Sequence, residues 1–279
     1  MGGLTYSRAG RAVFDGLDMS VPVGSRYALT GGNGAGKSAL LRLIAGHETP
    51  DHGTIEIFGM APGPASAAET GVAAPLDLSG TGRAALAGID DADDAGRRVT
   101  RALKRVGLAD RADLPASAYT SGDLRRLTIA SALVAPRALV LLDDPFTGLD
   151  TEGVADVVRL CGELSDDGVT LVLAARPHPA LDGLATHVGM LDAGRLTAEG
   201  TAEEVRAASP TGVVVRTRDV ILALGVLRGL EVADLTAHRD HLTATLGPDT
   251  PIDRVIRVLV HGGVRVTSVT PTPPPYAGP

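Results

Sequence analysis

The chain has 279 residues, enough for one large or two modest domains with buried cores. Its net charge of −7 and the absence of a basic cluster argue against a nucleic-acid partner, and a single cysteine rules out a disulfide framework. No apolar run reaches the ~18–20 residues of a membrane span and no signal peptide opens the chain, so we expect a protein of the reducing cytoplasm.

Residues 4–23 have the pattern of an antiparallel hairpin region, with turn signals at residues 9–11 and at Asp15-Gly16. Tyr6 and Phe14 are the aromatic residues of this region, and a core role is favoured over stacking on a nucleotide base for each. Residues 27–30 then predict a short buried strand.

A glycine-rich loop follows that strand and fits the pattern G-x-x-x-x-G-K-[ST]. Such a loop surrounds a phosphate with backbone N–H groups, its lysine reaches the β- and γ-phosphates, and its hydroxyl is a ligand of Mg²⁺. The apolar helix after it would point its positive N-terminus at the same charge. The predicted phosphate-binding residues are Gly31, Gly32, Asn33, Gly34, Ala35, Gly36, Lys37, Ser38 and Ala39.

The middle of the chain begins with a strand pattern at residues 53–59 and continues as a polar, mainly helical segment. Acidic residues 90–94 are most simply a solvated helix start, because carboxylates stabilise a helix N-terminus. Residues 119–123 precede an amphipathic helix at residues 124–133.

Two further apolar runs, residues 138–142 and 169–174, have the pattern of parallel strands buried on both faces. The first is closed by Asp143 and Asp144, which places carboxylates at the edge where open α/β sheets bind ligands. Asp143 is therefore predicted to hold Mg²⁺ from the side opposite Ser38. The second run leads to Arg176.

The C-terminal part, residues 212–269, has a βαββαβ pattern. Thr250 and Asp253 resemble a capping box with Pro251 at the first helical position. The tail at residues 271–279 is proline-rich and predicted to be extended.

Taken together, these motifs resemble the ATP-binding subunit of an ABC transporter over residues 4–208. Walker A is residues 31–38, Walker B residues 139–143, the signature loop residues 119–123 and the D-loop residues 147–150. The resemblance implies an α/β fold, a P-loop NTPase of ABC type. It would comprise a RecA-like parallel sheet core, an antiparallel β subdomain and a helical subdomain, with a small C-terminal α+β domain like that of ABC-2, drug-exporter-like systems.

The implied domain boundaries are residues 1–208 for the nucleotide-binding domain, with its helical subdomain at about residues 77–135, residues 209–270 for the accessory domain and residues 271–279 for the tail.

The same resemblance implies that two ATP molecules, each with Mg²⁺, are sandwiched in a head-to-tail dimer. Each would bind the Walker motifs of one subunit and the signature loop of the other, here Thr120 and Gly122, with Asp150 of the D-loop nearby. The implied partners are an integral membrane permease and a second nucleotide-binding subunit, as homodimer or heterodimer. The protein would then lie on the inner face of the membrane.

Several positions depart from the family pattern. Asp144 stands where the family has a glutamate that orients the attacking water, and it is shorter by one methylene group. Arg176 stands at the switch histidine, and His178 nearby is not expected to replace it. Glutamine is absent from the chain, so the glutamine loop near residues 74–77 has only Asp77 as a weak substitute.

The signature loop also departs, because Asp123 would place a negative charge beside a triphosphate. We therefore expect ATP binding with slow hydrolysis, in which Lys37, Asp144 and Arg176 are the catalytic candidates. The alternative is a regulatory subunit whose bound ATP closes a dimer without being cleaved.

Overall fold

A computed structural model describes residues 1–63, 70–72, 80–87, 89, 94–134, 137–209, 211–230, 232–247, 250–272 and 276–277. The chain divides into two compact units, Met1–Ala202 and Glu203–Pro279.

The strands of the first unit are β1 (Gly2–Arg8), β2 (Arg11–Leu17), β3 (Arg26–Thr30), β4 (His52–Thr54), β5 (Thr70–Val72), β6 (Leu139–Asp143), β7 (Thr170–Ala175), β8 (His187–Asp192) and β9 (Arg195–Thr201). Its helices are α1 (Lys37–Ile44), α2 (Gly82–Ala87), α3 (Ala95–Arg105), α4 (Ser121–Ser131) and α5 (Thr151–Asp166). Short 3₁₀ turns lie at Ala109–Arg111, Ala116–Ala118 and Pro179–Leu181.

The central sheet has the strand order β5-β6-β7-β3-β8-β9 and is parallel except for β9. β6 and β7 are apolar and buried along almost their whole length, as expected for central parallel strands. The register pairs Asp143 with Ala174 and Thr30 with Ala175, so β3, β6 and β7 end at the same edge. Ligands of open α/β sheets bind at this edge.

A smaller antiparallel sheet, β2-β1-β4, belongs to the same unit. The turn between β1 and β2 falls at Ala9-Gly10, where both residues have positive φ. The second predicted turn was wrong, because Asp15-Gly16 lies inside β2; Gly16 has a φ of 72° there, and the β1–β2 register is irregular. One apolar core joins this sheet to β3, α1, β6 and β7.

The region predicted to form the helical subdomain, residues 77–135, contains α2, α3 and α4. Asp94 is the N-cap residue of α3 and forms an ion pair with Arg98 at 2.7 Å. The rest of the acidic stretch and the position of the missing glutamine, residues 74–77, lie outside the described residues.

The second unit begins at the second residue of α6 (Ala202–Ala208). It continues with β10 (Thr211–Thr217), α7 (Val220–Leu227), β11 (Val232–Ala237), β12 (His241–Leu246), α8 (Ile252–His261) and β13 (Val266–Pro271). Its antiparallel sheet has the order β11-β12-β10-β13, and its core includes apolar residues of α7 and α8.

The capping box predicted for α8 was wrong. Pro251 has extended backbone angles and is itself the N-cap residue, without a side-chain capping hydrogen bond. Thr250 therefore stands one residue outside the cap, where it is buried, and cannot pair with Asp253 in the expected way.

The tail is only partly described. Tyr276 and Ala277 form a buried turn, which differs from the extended chain expected for this segment, and the Tyr276 hydroxyl lies 3.2 Å from a guanidinium nitrogen of Arg206. Among the described residues, no helix is both long and apolar enough to cross a bilayer.

Neighbouring residues of α8 provide a test of the second core. Leu259 is fully buried, whereas Val260 is 58% exposed. Leu259→Ala is expected to lower the free energy of unfolding of this unit by about 2–5 kcal/mol, because it leaves a cavity. Val260→Ala should change it by less than about 0.5 kcal/mol. Urea titrations followed by amide hydrogen exchange within the unit measure both, and equal effects would contradict the packing described.

Candidate functional site

The glycine-rich loop lies at the carboxyl end of β3, and α1 begins directly after it at Lys37. β3 is buried between β7 and β8, so the start of the loop is anchored in the centre of the sheet. The strand–loop–helix context that the motif requires is therefore present.

Two glycines of the loop are needed for steric reasons. A Cβ atom on Gly31 would collide with the carbonyl oxygen of Leu191. Gly36 has a φ of 110°, and a Cβ atom there would lie 2.7 Å from Cε1 of Phe14. The loop can keep this course only with glycine at both positions.

The Lys37 side chain folds over the loop. Its ammonium group donates hydrogen bonds of 2.8 Å to the carbonyl oxygens of both Gly31 and Gly32. Burial lowers the pKa of Lys37, although the carboxylates of Asp143 and Asp144 act in the opposite direction. An anion that enters the loop must draw the ammonium group away from these two carbonyls.

A cavity of about 340 Å³ opens beside the loop, within the usual size range of ligand pockets. We call it the phosphate-loop cavity; it is lined by Arg8, Val13, Asn33, Gly34, Gly36, Lys37, Ser38, Ala39, Arg42, Asp143, Asp144 and Arg176. Most of the predicted site residues therefore meet in one place. The exceptions outside the lining are Gly31, Gly32, Ala35, Thr120, Gly122 and Asp150.

The predicted metal ligands come from two elements, since Ser38 is in the first turn of α1 and Asp143 is the last residue of β6. A hydroxyl and a carboxylate are hard oxygen donors of the kind that Mg²⁺ prefers. The described part of the chain has no group of three or more His, Cys, Asp or Glu residues able to hold a metal ion. This donor set fits Mg²⁺, which commonly keeps waters and shares phosphate oxygens with a substrate.

Asp144 has an unusual backbone and a paired carboxylate. Its φ is 50°, and its N–H donates a 2.7 Å hydrogen bond to the carbonyl oxygen of Ala174. The Thr147 hydroxyl donates to Asp144 Oδ2 at 2.6 Å and accepts a hydrogen bond from Arg176 Nη2 at 3.4 Å. The carboxylate is thus held toward the D-loop by a chain of two polar contacts.

A second cavity, of about 310 Å³, adjoins Asp144 and Arg176 and is also lined by His178. The His178 ring stacks on Phe146 at a centroid distance of 4.7 Å, and its Nδ1 accepts a 3.1 Å hydrogen bond from the Ala180 N–H. Burial lowers the pKa of His178. One ring nitrogen is therefore already engaged in capping a turn.

In the signature loop, the carboxylate of Asp123 is not the exposed negative charge that the sequence led us to expect. Thr120 and Asp123 form a capping box at the start of α4, and Asp123 is only 7% exposed. Burial alone would raise the pKa of Asp123, but hydrogen bonds from Thr120 and the charges of Arg111 and Arg126 outweigh it and lower the pKa. Arg111 lies 3.2 Å from the carboxylate, so the charge is turned inward and compensated.

The signature helix also contacts the Walker B strand and the D-loop of its own chain. Arg125 donates hydrogen bonds to the carbonyl oxygens of Asp143 at 3.3 Å and Thr147 at 3.4 Å. The Asp150 carboxylate accepts from the Gly153 N–H at 2.8 Å and caps α5. The sequence did not predict this role of Arg125, because nothing in its local sequence indicates a contact with residues 143 and 147.

The aromatic residues Tyr6 and Phe14 are both buried, which agrees with the core role favoured for them. The Tyr6 hydroxyl donates a 2.6 Å hydrogen bond to Glu48. The cationic side chains Arg8 and Arg42 line the phosphate-loop cavity, and the sequence did not predict this. The sequence indicates them only as a basic residue soon after Tyr6 and a basic residue one turn into α1.

The titration of His178 tests the electrostatics of the second cavity. Its pKa should lie below 6.5, fall further in Asp144→Asn and rise in Arg176→Ala, because Asp144 raises it and Arg176 lowers it. NMR of the histidine rings measures all three, with the exposed Asp51→Asn as control.

The unfolded chain then binds the His178 proton more readily than the folded one. The stability that the folded chain gains from keeping His178 neutral is therefore complete above pH 6.5. It is lost as the pH falls from 6.5 through the lower pKa of His178 in the folded chain. A pKa above 6.5 would contradict the burial described.

Comparison with known protein families places these features in context. The profile described as ABC transporter matches residues 14–147. The daunorubicin/doxorubicin resistance ATP-binding protein DrrA of Streptomyces peucetius is 34% identical over 251 residues, covering 85% of this chain and 76% of that protein. The cytochrome c biogenesis ATP-binding export protein CcmA of Rhodopseudomonas palustris (strain HaA2) is 39% identical over 188 residues, covering 63% and 90%.

Solved structures give the same result. CbiO1 from Clostridium perfringens, part of the ABC transporter complex CbiONQ, is 27% identical with a TM-score of 0.64, covering 74% of this chain and 89% of that chain. An ATP-binding subunit of an ABC transporter, 23% identical with a TM-score of 0.66 over 74% of this chain and 90% of that chain, shares the fold. The predicted fold class is thus confirmed, and the chain belongs to the family of ATP-binding subunits of ABC transporters.

Proposed function

We propose that this subunit binds Mg·ATP and hydrolyses it slowly to energise an ABC-type membrane exporter. The observation that carries the proposal is the meeting of Lys37, Ser38 and Asp143 in the phosphate-loop cavity. An ammonium group, a hydroxyl and a carboxylate converge there on a loop whose glycines allow close approach of a phosphate.

In this proposal the N–H groups of residues 31–39 cradle the phosphates, and Lys37 exchanges its two carbonyl partners for phosphate oxygens. Ser38 and Asp143 would hold Mg²⁺. When bound, Mg²⁺ neutralises charge on the β- and γ-phosphate oxygens.

The ATP-binding site is proposed to be completed by a second subunit in a head-to-tail dimer. Thr120 and Asp150 are exposed and lie outside the phosphate-loop cavity of their own chain, which supports a role toward a nucleotide held by a partner. The partner subunit is a second copy or a related chain. Because the Asp123 charge is turned inward, Thr120 and Gly122 can approach a triphosphate with less repulsion than the sequence suggested.

Slow hydrolysis is proposed from Asp144. Its side chain is one methylene group shorter than that of glutamate, which retracts the carboxylate by roughly an ångström, and a misplacement of that size can cost on the order of 10²-fold in rate. The hydrogen bond from Thr147 occupies one carboxylate oxygen and directs it toward the D-loop. Arg176, permanently charged and only a donor, is proposed to contact the γ-phosphate in place of a histidine.

The second candidate is a regulatory subunit whose ATP closes a dimer without being cleaved. The contact chain Arg176–Thr147–Asp144 favours it, since it engages the carboxylate that is proposed to orient water. A single-turnover assay separates the two functions, because the transport subunit cleaves its bound ATP and the regulatory subunit does not.

An export role and a permease partner are proposed from the relatives. Proteins named for daunorubicin resistance match 85% and 93% of this chain at 34% and 32% identity. Import proteins are also among the relatives, for example the cobalt import protein CbiO of Rhodobacter capsulatus at 30% identity. The proposed position is the inner face of the membrane through the permease. Transport of the exported compound into vesicles, with and without this subunit, tests both.

The two lysines of the chain provide a matched pair for the binding test. Lys37→Ala should weaken Mg·ATP binding by about 10–100-fold, because a charge-assisted hydrogen bond to phosphate is lost. Lys104→Ala, on the exposed face of α3, should leave it unchanged. Isothermal titration calorimetry measures both constants, and equal constants for Lys37→Ala and the wild type would refute phosphate binding at this loop.

The dimer is tested with Asp144→Asn, which should retain ATP without cleaving it. Sedimentation velocity should show a doubling of mass on addition of Mg·ATP, reversed by Thr120→Ala with Gly122→Ala. An unchanged mass would exclude the homodimer and require a heterologous partner subunit.

A further inference from the structure

A third cavity, of about 470 Å³, lies in the first unit, away from the phosphate-loop cavity, with which it shares no lining residue. It is enclosed by α3, the C-terminal ends of α4 and α5, and the start of β6. We call it the arginine cavity, because its lining includes Arg97, Arg98, Arg101, Arg105 and Arg137. Its volume falls in the range of small-ligand pockets.

The arginines face the cavity because of the helical repeat of α3. Val99 and Leu103 are buried and anchor one side of the helix. Arg97, Arg101 and Arg105 recur every four residues, so they share another side. The core packing of α3 thus presents a row of guanidinium groups to the cavity.

The charges of the lining do not balance. Among the described residues of the lining, the carboxylates are those of Asp94 and Asp167, and the guanidinium groups of Arg98 and Arg137 are already engaged in interactions. Asp94 pairs with Arg98 at 2.7 Å, and Arg105 pairs with Asp167 at 3.4 Å and with Glu163 at 3.8 Å. Arg97 and Arg101 have no acidic partner in the part of the chain that the structure describes. Arg97 and Arg101 are exposed to water, and their positive charges are concentrated at one cavity of a chain whose net charge is −7.

We propose that the arginine cavity binds a multiply charged phosphate group. The planar guanidinium fork matches phosphate oxygens in a bidentate manner, and arginine is less strongly hydrated than lysine. Phosphate places two charges on one compact group, which suits several guanidinium groups around a small volume. Such a group is offered by a dissolved phosphate compound or by the headgroup of an anionic phospholipid, and the experiment distinguishes these sources.

A competing explanation comes from the chain itself, since Asp90, Asp91 and Asp93 immediately precede α3 in the sequence. If their carboxylates neutralise the arginines, an external phosphate would gain nothing. The test therefore includes the Asp90→Asn, Asp91→Asn, Asp93→Asn variant.

The binding experiment is calorimetric titration with sodium pyrophosphate in the Lys37→Ala background, which weakens the phosphate loop as a competing site. Pyrophosphate should bind, and Arg97→Ala with Arg101→Ala should weaken it at least about tenfold. Lys104→Ala removes one positive charge from the same helix outside the cavity lining, and should change binding less than twofold. Arg101→Lys, with unfolding midpoints measured for all variants, separates lost binding from lost folding.

The second arm is co-sedimentation with phosphatidic acid vesicles, compared with phosphatidylcholine vesicles. Arginine-dependent binding to pyrophosphate alone identifies a dissolved ligand, and arginine-dependent binding to phosphatidic acid identifies a headgroup. Binding to neither, or binding that ignores the arginine variants, overturns the proposal. So does binding that appears only in the aspartate-to-asparagine variant, since the arginines then serve the carboxylates of their own chain.

Discussion

The site depends on one constraint, the close fit of the glycine-rich loop between the end of β3 and the start of α1. The carbonyl of Leu191 and the ring of Phe14 leave no room for side chains at Gly31 and Gly36. That course brings two loop carbonyls within 2.8 Å of the Lys37 ammonium group. These hydrogen bonds of Lys37 are the ones that a phosphate is proposed to replace, so the proposal links the order of the loop to ligand binding.

The other motifs are connected to this loop through polar contacts within one chain. Arg125 ties the signature helix to the end of β6 and to the D-loop. Thr147 then joins Asp144 and Arg176. The signature helix is thus connected, through Arg125 and Thr147, to the carboxylate proposed to orient water. The inward pairing of Asp123 makes this surface less repulsive to a triphosphate than its composition implies.

Short-range patterns predicted the loop, the buried strands and the acids at the end of β6, because each depends on local periodicity or a fixed spacing. Capping was less predictable. Thr120 and Asp123 form a capping box that was interpreted only as a degenerate signature, whereas Thr250 does not form the one expected of it because Pro251 takes the cap position. Long side chains such as Arg125 reach partners that are distant in the sequence, and no local pattern encodes that reach.

The rate of hydrolysis depends on whether Asp144 can orient water while its carboxylate accepts the hydrogen bond from Thr147. Single-turnover cleavage of Mg·ATP by the wild-type protein, beside Asp144→Glu combined with Arg176→His, tests this most directly. We expect the wild type to bind ATP and cleave it well below ~1 s⁻¹, and the double variant to be faster by about 10²-fold. Wild-type cleavage at roughly tens per second, or no gain in the double variant, would contradict the account.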